Sequence, residues 1–171
     1  MSYVMVDIES DGPIPGDFSM ICFGAVIVRG DLTEEFYGKT QPISEKRVPE
    51  ALALSGFARE QTQAFDPPEK VRGDFATSAH SKGSPMFVSD NNGFDWQFIN
   101  WYFHHFLERN PFGFSSTNLG SLYKGAVRDV FQNFKHLRKT KHTHQPVDDA
   151  RGNAEAFMEL AKTLDIKVRF D

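Results

Sequence analysis

Residues Tyr3 to Glu9 read Tyr-Val-Met-Val-Asp-Ile-Glu, an extended pattern rich in β-branched residues with apolar side chains on both of its faces. Tyr3, Met5, Asp7 and Glu9 share one face and Val4, Val6 and Ile8 the other. A strand that is apolar on both sides has to be covered on both, which requires packed layers above and below a sheet. Two acids at the carboxyl end of such a strand are the feature least compatible with a simple core.

The rest of the chain supplies those layers. Met20 to Arg29 and Glu34 to Thr40 read as two more strands, with a turn at Gly30 and Asp31, and the three together predict an antiparallel meander. Asp11 to Asp17, with its Gly and Pro residues, reads as a surface loop. Pro49 to Ala64 and Pro67 to Ser81 have helical composition with proline at the start. Met86 to Ser89 is a short strand, Phe94 to Glu108 an aromatic helix, Asn118 to Phe131 a helix, Pro146 to Leu164 the last helix, and Ile166 to Phe170 a closing strand or extended tail. This order predicts an α/β fold with a mixed sheet flanked by helices, in one domain over residues 1–171.

Charge narrows the class of function. A net charge of -4 argues against a protein that coats duplex nucleic acid, which binds by neutralising many phosphates. Yet Lys124, Arg128, Lys135, Arg138, Lys139 and Lys141, with His136, His142 and His144, form a local basic stretch suited to touching a few phosphates. The single cysteine, Cys22, lies in an apolar run and reads as a buried thiol in a reducing compartment. No basic-then-apolar N-terminal signal is evident, and the apolar runs fall far short of the roughly 20 residues of a membrane span, so a soluble cytoplasmic protein is expected.

Three positions carry the candidate chemistry. Asp7 and Glu9 point the same way at a spacing of about 6 to 7 Å, close enough to converge on one divalent cation. Asp95, in Asn92-Gly93-Phe94-Asp95, shares a helical face with Phe98, Ile99, Tyr102 and Phe106 and so should face inward. Asp149 shares a face with Asn153, Ala156 and Leu160 on the last helix, whereas Asp148 lies on another face and reads as a cap. His144 sits in the loop just before it; with an ordinary pKa of about 6.5 it can take a proton from water at neutral pH.

An Asp-x-Glu on the first strand, an Asn-x-x-Phe-Asp entering a helix, and a His five residues before an Asp near the end of the chain, in that order, resemble the DEDDh family of 3′–5′ exonucleases. The resemblance spans nearly the whole chain and implies a ribonuclease H-like fold. It implies that Asp7, Glu9 and Asp149 hold one Mg²⁺ or Mn²⁺, that Asp7 and Asp95 serve a second, and that His144 is the general base, releasing nucleoside 5′-monophosphates. Ser10, Asn91, Arg138 and Lys139 are candidate substrate contacts. After Glu9 the chain departs from the family's usual short turn, with Ser10-Asp11-Gly12-Pro13-Ile14-Pro15-Gly16-Asp17.

The small form is similar to stand-alone bacterial or phage exoribonucleases of the mycobacterial type. The expected substrate is single-stranded nucleic acid, with RNA favoured over DNA, and homodimerisation is plausible from the aromatic surplus. The alternatives are a single-stranded DNA exonuclease or proofreading nuclease, a noncatalytic nucleic-acid-binding module, and an internally cutting nuclease of the same fold.

Overall fold

In the computed structural model, which describes residues 2–80 and 85–168, a five-stranded sheet separates two helical layers. The strands are β1 (Ser2–Ser10), β2 (Met20–Ile27), β3 (Glu35–Lys39), β4 (Pro85–Ser89) and β5 (Ser116–Asn118), in the order β3-β2-β1-β4-β5. β1, β2 and β3 form the expected antiparallel meander, while β4 and β5 add in parallel on the other side of β1. The sheet is therefore mixed, with β1 at its centre.

The helices are α1 (Pro49–Leu54), α2 (Arg59–Thr62), α3 (Pro68–His80), α4 (Asn92–Leu107), α5 (Leu119–Val127) and α6 (Pro146–Thr163), with a 3₁₀ turn at Lys135–Leu137. Val4, Val6 and Ile8 pack with α3 and α4 through Val71, Phe75, Phe98, Ile99 and Tyr102. On the opposite face Met5, Val26 and Val88 pack with α5 and α6 through Leu119, Tyr123, Ala150, Ala154, Phe157 and Leu160. Much of the aromatic content is spent inside the α3/α4 layer, where Phe23, Phe75, Phe87, Phe103 and Phe112 meet in edge-on and tilted pairs. Among the described residues no helix is long and apolar enough to cross a membrane.

Most elements lie within one or two residues of the sequence reading, and the larger differences have local causes. The helix expected over 49–64 divides into α1 and α2, because Ser55 caps α1 and Gly56 turns the chain at φ +76. The helix expected from Asn118 to Phe131 ends at Val127, where Arg128 takes the left-handed conformation and caps it. β5 is an element the sequence reading does not include: its three polar residues at the sheet edge have no apolar alternation to reveal them. Of the two forms expected for Ile166 to Phe170, residues 166–168 take the tail and not the strand, while Ser81, Arg169 and Phe170 lie outside the described residues.

Two features aim the layers at one end of β1. β4 pairs with β1 only as far as Met5, so the last residues of β1 lie free of it. On β2, Gly24 stands opposite Asp7, and a Cβ there would overlap the backbone of Pro146 and Val147. The missing side chain lets the first turn of α6 rest directly on the sheet beside Asp7.

Candidate active site

Asp7 and Glu9 project from the carboxyl end of β1 toward α6, and the pairing of β1 with β2 shifts register between Glu9 and Ser10. A bulge of this kind re-aims side chains at the end of a strand. Pro146 opens α6, Gln145 caps it by accepting from the Asp148 amide at 2.9 Å, and Asp149 follows in its first turn. Asp148 is thus not the cap expected of it; its carboxylate takes the Thr143 hydroxyl at 3.2 Å. Oxygens of Asp7, Glu9 and Asp149 all lie within 4.8 Å of one another.

Asp95 comes from the other layer. It is buried in the first turn of α4, outside that three-acid group, and accepts from the Ser89 hydroxyl and the Ile8 and Asn91 amides. The early end of the β1–β4 pairing leaves the Ile8 amide free for this bond. The first turns of two helices from opposite faces therefore converge on the end of one strand, and their positive dipole ends favour anionic groups there.

The loop from 138 to 144 is organised around Asp149. Its Oδ1 lies 2.8 Å from Arg138 Nη2 and from His142 Nδ1, and accepts the Thr143 amide at 3.2 Å. Its Oδ2 accepts the His144 amide at 2.9 Å. His144 adopts φ +60, a left-handed conformation rare outside glycine, which brings its Nδ1 to 3.3 Å from Glu9 Oε1. Strain of this kind persists where surrounding contacts enforce it, and here they are the four bonds to Asp149.

The acids are electrostatically frustrated without a cation. Burial pushes the Asp7 carboxyl well above the ordinary range, and Asp95, Asp149 and Glu9 push it further, against Arg138. Burial also raises Glu9 to about 6, opposed by His144, and Asp95 to about 7, opposed by Ser89. An all-oxygen donor set under mutual repulsion fits a hard divalent cation. In metal-free protein, stability should fall as pH rises from about 4 toward 7, because the folded chain retains protons that the unfolded chain has released. Thermal melts in EDTA should show this decline, and added Mn²⁺ should raise Tm more near neutrality than in acid. A pH-independent Tm that Mn²⁺ leaves unmoved would rule out a cation site here.

Asp7, Glu9 and Asp95 line a cavity of about 430 Å³, with Asp149 buried behind Asp7 and Glu9. His142, His144, Asp90 and Asn91 line it as well, and Ile8, Pro13, Val48, Ala51, Leu54 and Phe94 give it an apolar wall. That wall is fixed to β1 by a buried ion pair, Arg59 Nη1 to Asp11 Oδ2 at 3.0 Å. Asp11 also accepts the Ser19 amide on its side chain and the Val48 amide on its carbonyl.

All five residues expected to carry the chemistry, Asp7, Glu9, Asp95, His144 and Asp149, are brought together. Ser10 and Asn91 line the same cavity, with the Ser10 hydroxyl donating to the Gly12 carbonyl at 2.6 Å. Arg138 is turned onto Asp149, and its side chain is nearly buried. Lys139 is directed elsewhere, to a depression it shares with Leu32, Glu155 and Lys162. His142, counted in the sequence only with the basic stretch, also lines the cavity and reaches Asp149 while its side chain stays half exposed. Its alternation with His144 five residues before the acid is the one sequence signal that could have found it.

No family model matches the chain. It is 30% identical over 177 residues to the 3′–5′ DNA exonuclease Cap18 of Escherichia coli, covering 96% of this chain and 94% of that one. Its fold is similar to that of a 3′-exonuclease solved in recognition of a histone mRNA stem-loop, with a TM-score of 0.76 at 15% identity over 97% of this chain. It is likewise similar to the zinc-bound complex of E. coli exonuclease I with single-stranded DNA, with a TM-score of 0.67 at 19% identity over 95% of this chain. The match spans 65% and 40% of those two solved chains, respectively.

Proposed function

Because this chain belongs to the 3′–5′ exonucleases of the DEDD, ribonuclease H-like type, we propose that it removes nucleoside 5′-monophosphates one at a time from the 3′ end of single-stranded DNA. The observation that carries this reading is the meeting of Asp7, Glu9 and Asp149 within 4.8 Å beside His144, at a cavity lined by both acids and apolar side chains. DNA is favoured over the RNA expected from the chain's size and loop because the full-length relative is a DNA exonuclease.

Asp7, Glu9 and Asp149 would hold one Mg²⁺ or Mn²⁺, and Asp7 with Asp95 a second. When bound, such a pair of ions stabilises charge on the attacking and leaving oxygens of an in-line displacement at phosphorus. The chain's own groups do the rest. The apolar wall of Val48, Ala51, Leu54 and Phe94 receives the terminal nucleoside, leaving its phosphate at the acidic end. Glu9 holds His144 through Nδ1, so the other ring nitrogen is left to accept a proton from water. The water oxygen bonds to phosphorus, the bond from phosphorus to the 3′ oxygen of the preceding nucleotide breaks, and the shortened strand leaves with a 3′ hydroxyl. Arg138 acts on Asp149 rather than on substrate, fixing its orientation.

His144→Ala is expected to lower kcat by about 10²- to 10⁴-fold with a much smaller change in KM. Single-turnover rates across pH check this, and an unchanged kcat would remove His144 from the proton transfer. The reading as a whole is tested with 5′-labelled single-stranded DNA and RNA of matched sequence, Mg²⁺ or Mn²⁺, and an EDTA control. A metal-dependent ladder shortening from the 3′ end, faster on DNA, is the expected result, with circular single strands left intact. Faster loss of RNA would overturn the DNA preference alone; cleavage of circles would overturn the exonuclease direction. Cleavage of nothing with either metal would overturn the catalytic reading.

A further inference from the structure

Charge is segregated along this chain. Residues 109–147 hold seven Lys or Arg and a single acid, Asp129, although the whole chain has 19 Lys and Arg against 23 Asp and Glu. The three most exposed large apolar residues among those described fall in the same stretch: Phe131 at 94%, Phe114 at 92% and Val130 at 68%. Exposed aromatic rings set among cations match the chemistry of a single-stranded polynucleotide, whose bases stack and whose phosphates pair.

The local structure presents these groups outward. Asp129 is spent within the turn after α5, where its carboxylate accepts the Phe131 amide at 2.9 Å and Gln132 Nε2 at 3.1 Å. Tyr123 on α5 packs its ring edge-on against His136 at 5.9 Å and ties the turn to the 3₁₀ segment. Lys124, Arg128, Lys135 and Lys141 are all exposed, and none makes an ion pair with a carboxylate among the described residues. The stretch is also anchored to the active site at two points. Asn118, the cap of α5, donates to the carbonyl of the cavity residue Asp90 at 2.9 Å, and Arg138 binds Asp149. Between that cap and the turn that carries Phe131 runs α5, nine residues and about 13 Å long, a length comparable to a few nucleotides of strand.

We infer that this basic face, with Phe131 as its stacking platform and Lys124, Arg128 and Lys135 as phosphate contacts, is the track for the single-stranded DNA that lies 5′ of the nucleotide being removed. The inference rests on the proposed exonuclease reading and adds to it a reason for the enzyme to prefer long strands. A dinucleotide fills the cavity without reaching Phe131, whereas a longer strand engages both.

The test compares kcat/KM on a long oligothymidylate with that on a dinucleotide, for the wild type, Phe131→Ala and the double variant Arg128→Gln/Lys135→Gln. The ratio should fall about tenfold for Phe131→Ala. For the double variant the salt dependence of KM on the long strand should flatten by a slope of about 0.7 per lost phosphate contact. An unchanged ratio would overturn the track, as would equal losses on both substrates, which would assign these residues to the fold. Anisotropy of labelled oligothymidylate in EDTA reads the face without turnover. A wild type that binds but never cuts, with binding weakened by Phe131→Ala, would overturn the exonuclease reading while supporting the face. If Phe131→Ala instead changes the sedimenting mass and leaves the ratio alone, the face joins two copies of the chain and the track is refuted.

Discussion

Asp7→Asn and Asp149→Asn are each expected to cut turnover by about 10³-fold or more, yet to move Tm in opposite directions. Turnover falls in both because each removes a carboxylate from a three-oxygen group that would hold a cation worth several kcal/mol to the transition state. Stability diverges because the two acids stand in different surroundings. Asp7 is crowded by Asp95, Asp149 and Glu9, so a neutral amide relieves repulsion and leaves the metal-free protein at least as stable. Asp149 instead neutralises Arg138 inside the protein and receives two consecutive backbone amides. Removing its charge strands a buried guanidinium, a loss of about 3 to 5 kcal/mol where a buried pair is broken from one side. Differential scanning fluorimetry in EDTA beside single-turnover assays separates the effects. Full activity in purified Asp7→Asn would remove the metal-site model, and equal Tm shifts would refute the separate role given to Arg138.

Gly24→Ala, which touches no reacting group, is expected to lower kcat by about 10²-fold or more and to destabilise the fold by about 1 to 3 kcal/mol. The new methyl would overlap the backbone at Pro146 and Val147, which cannot yield as a flexible side chain would. α6 must then rise from the sheet, carrying Asp149 and the His144 loop away from Asp7 and Glu9. Displacements of about 1 Å suffice for losses of this size when reacting groups are prealigned. The corresponding change at Gly73, where nothing crowds the added methyl, is the control. Activity in Gly24→Ala equal to that of the control would show that α6 does not depend on this contact.

The parts of the site legible in the sequence are those set by local periodicity. Alternation along β1 put Asp7 and Glu9 on one face, and helical spacing put Asp95 and Asp149 inward, because each needs only the geometry of its own element. His142 was hidden because its contact with Asp149 depends on the left-handed turn at His144, which residue types there do not announce. Arg138 was read as a phosphate contact from its charge, but a buried partner eleven residues away claims it. The apolar wall was likewise invisible, since Asp11 holds α1 through the Val48 amide and α2 through Arg59, residues far apart in sequence. β5, three polar residues long, owes its place to pairing with β4 and to side-chain bonds with Asn92 and Asp90, none of which its own residue types announce.

The site is divided among segments at positions 7–9, 95 and 142–149, so no part of the chain shorter than nearly the whole can assemble it. During synthesis the meander and the aromatic layer emerge first, while His144 and then Asp149, in the first turn of α6, emerge after them. A nascent chain lacking α6 has Asp7 and Glu9 but not Asp149, whose carboxylate holds the His144 loop in place. The carboxylate group is therefore incomplete in any partly folded chain until α6 docks over Gly24.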